Sequence, residues 1–240
     1  MTTQEMSDFF GLLSNAYQIP LQQGQDGYLV FDEYEKSLYL TMAQNMFVIS
    51  CYNGKNQYDY KFEVTEEDRR ILDSLVRTRV YETDTQQTRQ QPSTKIVPEA
   101  VVFRLPADMM FITYESVKFS DSGCASTQEA VVVPVTQDEF WKTYKNPFRG
   151  PNERRVLRLD SGDNTVELVS KKGISEYKVR YLKKPEPIIL VDMPETSDLT
   201  MFDGRRDQTP CQLDSSVHEG IVELAVNMAL QRKSIGNSKQ

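Results

Sequence analysis

The 240-residue sequence has one histidine, His218, and three cysteines, Cys51, Cys124 and Cys211, that lie far apart. A single histidine with no companion nucleophile or orienting residue in its motif context argues against a nucleophilic triad. One histidine and three scattered cysteines also lack the paired ligand spacing of structural zinc sites. No C-x-x-C occurs, and an odd cysteine count argues against a disulfide framework. Buried or incidental thiols are expected instead. No phosphate-loop, dinucleotide or nucleophile-elbow glycine motif is present. No run approaches the 18 or so apolar residues of a membrane span. The N-terminal MTTQEMSDFFGLL has no basic region leading into an apolar core, so no signal peptide is expected and the chain should be made in the cytoplasm.

What is present is polar and acidic. Charged residues make up 26%, hydrophobic residues 39%, and the net charge is −7, with a mean hydropathy of −0.53. That balance fits a folded, soluble chain of one large or two small domains. It does not fit a surface built throughout to hold nucleic acid.

Periodicity divides the chain. Residues 1–80 read as helical. A first helix over about 3–19 stops at Pro20, and a second, over about 32–52, carries Tyr34, Leu38, Met42, Met46 and Ile49 on one stripe and Tyr39, Ala43, Phe47 and Cys51 on another. The stretch Met46–Ile49 is apolar on nearly every side and predicts burial on several sides. Thr65 with Glu66, Glu67 and Asp68 predicts the start of a third helix reaching about Arg79. Residues 81–95 read as a polar linker. From 96 to 190 the period changes to two, with strands expected at 101–103, 111–119, 130–135, 154–160, 165–170 and 175–183, the last three as an antiparallel meander. Leu105-Pro106 leaves a short helix or a strand start open. A short helix carrying Phe140, Trp141 and Tyr144 starts at Thr136, with Glu139 and Val135 positioned for a capping box and a staple, and ends before Asn146-Pro147. Prolines punctuate an extended arm over about 185–215. Ser216 with Glu219 predicts a last helix, followed by a tail to 240.

The candidate contact residues come from surplus rather than from chemistry. In the last helix Glu219, Glu223, Asn227 and Gln231 form one polar stripe, while Ile221, Val222, Leu224, Met228 and their neighbours fill most of the rest. An outer helix of a monomer buries about a third of its circumference. This one is therefore either the central helix of its own domain or a helix between subunits. Arg149, Arg154, Arg155 and Arg158 form a basic group, with Arg154 and Arg158 on one face of the strand predicted there. It suits a protein contact or a solvated strand face, or else DNA phosphates. Trp141 is the sole tryptophan, on the short helix beside them.

The segments FDEYEKSLYLTMAQ, YNGKN, FEVTEEDRRILDSLV, VVPVTQDEFWKTYKNPFRGPNERRVLRL, YLKKPEPIILVD and VHEGIVELAVNMAL resemble structural proteins of crAss-like phages of Bacteroides, of the head-tail connector or tail ring type. The resemblance implies a non-enzymatic virion protein without cofactors. It implies copies of the chain arranged in a ring, dodecameric to match the portal, at the portal-tail junction. The portal and adjacent ring proteins would flank it, DNA would pass through the lumen without sequence-specific binding, and assembly would take place in the host cytoplasm. The 185–215 arm looks like a segment that reaches onto a neighbour. Together these readings predict an α+β fold, with the helical part and last helix set beside an antiparallel β-rich part. The competing reading is a nucleic-acid-binding module built on the arginine group. A hydrolase using acidic residues is a third, less specific one.

Overall fold

The computed structural model describes residues 1–18, 30–54, 66–83, 100–120, 129–193 and 202–237. The chain folds as two compact units, residues 1–75 with 184–240, and residues 76–183. The fold is α+β, as its periodicities predict.

In the first unit, α1 (Thr3–Gln18), α2 (Glu33–Asn53) and α5 (His218–Asn237) pack together, with α5 lying along both others. A short helix, α3 (Glu66–Ile71), belongs to the same unit. Asp32 caps α2 and forms a reciprocal box with Glu35, and Gly54 ends the helix at φ 72°, a left-handed geometry that glycine adopts without penalty. α2 buries Tyr39, Leu40, Ala43, Val48 and Cys51, whereas Met46 and Ile49 are partly exposed. The expected all-round burial near its end is thus confined to one side.

α2 also buries three polar residues, Ser37, Thr41 and Gln44, at spacings of four and three. Their partner is the arm. Thr41 Oγ1 donates to the Ile188 carbonyl and accepts from the Ile188 amide, at 3.2 and 3.0 Å. Ser37 Oγ accepts from the Leu190 amide at 3.0 Å, and Gln44 Nε2 donates to the Glu186 carbonyl at 2.8 Å. An extended segment has to find partners for its backbone groups, and here a polar helix stripe supplies several of them. Ile188, Ile189 and Leu190 are buried as a result, and Ile189 pairs with Thr209 farther along the arm. In its described residues the arm therefore packs on α2 of its own chain. Residues 194–201 lie outside the described residues.

The second unit is a curled seven-stranded sheet in the order β1-β7-β3-β4-β5-β6-β2. Its strands are β1 (Val76–Glu82), β2 (Val101–Arg104), β3 (Met109–Phe119), β4 (Glu129–Pro134), β5 (Arg155–Gly162), β6 (Thr165–Val169) and β7 (Ile174–Lys183). All neighbours are antiparallel except β4 and β5, which are parallel because α4 (Gln137–Tyr144) crosses between them. β5 and β6 form the expected hairpin, with Gly162, Asp163 and Asn164 all at positive φ in its turn. β7 leaves that meander and pairs with β1 and β3. The predicted third helix stops at Ile71, and residues 76–82 form edge strand β1, because Val76, Thr78, Val80 and Tyr81 favour the extended state. The Thr65 cap and most of the 81–95 linker lie outside the described residues. Leu105-Pro106 leads into a turn, with the Met109 amide bonded to the Pro106 carbonyl.

Curling brings the edge strands together through aromatic rings. Phe103 of β2 lies 4.9 Å from Tyr177 of β7 and 6.0 Å from Tyr81 of β1 between ring centroids. These rings join Val117, Val132, Val156 and Val179 in the inner core. On the outer side Phe140 of α4 is fully buried with Leu157, Leu159 and Val169, so β5 is covered on both faces.

Candidate assembly surfaces

Side chains proposed to meet another molecule must be accessible in the folded chain. Two of the α5 candidates are not: Ile221 and Val222 are fully buried in their own unit, together with Ala225, Val226 and Ala229. Leu224 and Met228 are half-buried, while Glu219, Glu223, Asn227 and Gln231 face solvent. Of the two roles open from sequence, α5 takes that of a central helix. It begins after a 3-10 turn over Ser215–Val217 capped by the Asp214 side chain, two residues before the predicted cap at Ser216. His218, at the start of α5, is buried, with Nε2 3.0 Å from the Leu213 carbonyl and Nδ1 3.0 Å from the Met1 amine. Both ring nitrogens serve packing of the helical unit.

The arginine group separates in space. Arg158 lies on the inner face of β5 with Val156, and only 9% of it is exposed. Its guanidinium is bonded to Glu115, which in turn accepts from the Tyr177 hydroxyl, and its Nε sits 3.2 Å from Asp160. Burial opposes the charge on Arg158, but the hydrogen bond and charge of Glu115, with Asp160, hold its pKa above the ordinary value. Burial, then the Glu115 charge, pushes the Tyr177 hydroxyl up as well. Arg158 is therefore a core ion-pair residue and is withdrawn from any surface. The shared face read for Arg154 and Arg158 points inward, and the strand begins one residue later, at Arg155. Arg149 and Arg154 remain exposed.

From α4 to β5 the structure displays two rings, of which sequence reasoning named Trp141 and missed Phe148. α4 buries Phe140 and leaves Trp141 53% exposed, in edge contact with Phe140 and Tyr144 at 5.2 and 5.9 Å. The helix then turns sharply. The Asn146 side chain accepts from the Phe148 and Arg149 amides at 2.9 and 3.2 Å, and the Gly150 amide bonds the Asn146 carbonyl at 2.7 Å. The Arg155 guanidinium holds the Phe148 carbonyl at 3.1 Å. A methyl group on Gly150 would lie 2.7 Å from the Tyr144 carbonyl oxygen and 2.8 Å from that of Asn146, so this close approach requires glycine. The outcome is a Phe148 side chain 86% exposed on a backbone held by four hydrogen bonds. The signal legible in the sequence was Asn146-Pro147, which marks the turn without saying which way Phe148 points.

Charge divides between the units. Residues 76–183 carry 17 Lys and Arg against 14 Asp and Glu, net +3. Residues 1–75 and 184–240 together carry 11 against 21, net −10. One chain thus presents two units of opposite sign.

No group of three or more potential metal ligands occurs among the described residues. Cys51 is buried, and Cys211 lies with its Sγ 3.2 Å from Gln44 Oε1, where burial pushes its pKa up to about 11. Cys124 lies outside the described residues. No helix among them is long and apolar enough to cross a membrane.

Comparison with known proteins gives whole-length similarity. The model of the phage tail ring protein 3/4 family matches residues 1–240. Ring protein 3 of Bacteroides phage crAss001 is 42% identical over 237 residues, which cover 98% of this chain and 97% of that protein. Ring protein 4/5 of the same phage is 26% identical over 236 residues, covering 95% and 92%.

Proposed function

The chain belongs to the phage tail ring protein 3/4 family, and on that footing we propose that it is a structural virion subunit that forms an oligomeric ring at the portal-tail junction. Copies pack side by side, the portal and adjacent ring proteins stack above and below, and DNA crosses the lumen without sequence-specific contact. The chain works by packing, without catalysis or a cofactor, and the ring is assembled in the host cytoplasm. The observation that supports this most is the opposed charge of the two units, net +3 and net −10. A ring needs a heterologous contact, in which one surface of a copy meets a different surface of the next. Opposite signs on one chain supply such a contact, since the positive unit of one copy can meet the negative unit of the next.

Reconstitution with the portal tests the position. The portal of the same phage, mixed with the purified chain, should sediment with this protein bound in a fixed ratio set by the portal's symmetry. A chain that binds only other tail proteins, and leaves the portal bare alone and in their presence, would move the ring away from that junction.

A further inference from the structure

The aromatic turn of the β unit has a counterpart on the helical unit. Along α1 the exposed positions Glu5, Asp8 and Leu12 follow at spacings of three and four, so they share one stripe. Leu12 is 68% exposed, a large apolar side chain on a carboxylate-bearing face. The acidic stripe of α5 adjoins this helix, because Glu223 accepts a hydrogen bond from the Tyr17 hydroxyl at 3.2 Å. The β unit carries the inverse pattern: Trp141 near the end of α4 and Phe148 in the turn after it are exposed rings, and Arg149 and Arg154, which follow Phe148 closely in sequence, are exposed as well.

We propose that Phe148 and Trp141 of one copy seat on Leu12 of α1 in the next copy, with Arg149 and Arg154 paired to Glu5 and Asp8. The proposal rests on the ring reading and names the contact that would build it. Three observations favour a second copy as occupant. Donor and acceptor match in both apolar character and sign. They lie on different units of one chain, so each copy has both halves to offer and the contact can repeat from copy to copy. The turn is already held in place, so ordering costs on binding are small, and aromatic and arginine side chains are the usual anchors of such contacts. Val30, Met46, Ile49 and Val191 are the other exposed large apolar residues described in the helical unit; of these, Met46 and Ile49 share α2, whose stretch from Met46 to Asn53 has no acidic residue to meet the arginines. Duplex DNA would engage Arg149 and Arg154 and offer Phe148 no apolar seat.

The test uses the full chain. Phe148→Ser, and separately Arg149→Glu with Arg154→Glu, change exposed side chains and should leave the melting temperature unchanged. Each should raise the concentration at which half the chains are in rings by about tenfold or more. Adding Glu5→Lys and Asp8→Lys to the arginine variant should restore assembly, and should not rescue Phe148→Ser. A Leu12→Cys, Phe148→Cys chain should give, on mild oxidation, a ladder of covalent oligomers that neither single variant gives. Wild-type rings accompanied by unimpaired rings in both surface variants, or by no ladder, would overturn this contact and leave the ring reading standing. The contact is overturned as well if Phe148→Ser weakens only DNA or portal binding. A wild-type chain that never forms rings would instead remove the ring reading itself, and this contact with it.

Discussion

Ile221→Asp is expected to unfold the helical unit. Ile221 has no solvent exposure and sits on the buried face of α5, the helix that packs along both α1 and α2. A carboxylate there would lose its hydration with no cation to meet it, and the apolar contacts of isoleucine would be lost as well. Such a change costs more than about 4 kcal/mol, a large share of the stability of a small unit. Circular dichroism should show a loss of helix and of the cooperative melting transition. Leu224→Asp, half-buried one turn on, should be milder, and Glu223→Lys, on the solvent stripe, should shift stability by no more than about 0.5 kcal/mol. A well-folded Ile221→Asp chain, melting as the wild type does, would mean that α5 is not the central helix.

The second large effect is expected inside the sheet. Arg158→Met removes the cation that faces Glu115, leaving a buried carboxylate supported, among the described residues, by the Tyr177 hydroxyl. Breaking one side of a buried pair costs about 3–5 kcal/mol, because the remaining charge stays desolvated. Adding Glu115→Gln should recover more than half of the loss. The amide carries no charge, and its oxygen still accepts from Tyr177. Chemical denaturation of the three chains measures both steps, and an Arg158→Met chain within about 1 kcal/mol of the wild type would show that the pair contributes little. The cluster also sets a pH dependence. The folded pKa of Tyr177 is raised above its ordinary 10.0, so the stability held by the neutral hydroxyl is complete below pH 10.0 and is lost as pH rises through the higher folded value.

These two residues show what was legible in the sequence. Helical periodicity located α1, α2 and α5, and the period of two located most strands, because those patterns record which side chains face a core. The apolar excess of α5 gave two answers, since burial inside one chain and burial between chains leave the same pattern. Arg158 was misplaced for a related reason. In an alternating strand an arginine marks the outer face unless a buried carboxylate awaits it, and Glu115 lies 43 residues away in sequence. β1 was hidden because Val76–Glu82 continues directly from a helical turn and carries two arginines that suit a helix end. The polar residues Ser37, Thr41 and Gln44 gave no signal, since their partner is the backbone of a segment about 145 residues on. Phe148 escaped because exposure in a turn is set by its amide's hydrogen bond to Asn146 and the one its carbonyl accepts from Arg155, which no periodicity encodes.

The ring reading is tested most directly by the mass of the purified chain in solution, measured by light scattering over a wide concentration range. The expected result is a closed oligomer of fixed mass, many times 27.7 kDa, that dissociates as salt is raised because opposite charges hold it. A species of 27.7 kDa at every concentration, unchanged when portal protein is added, would contradict it.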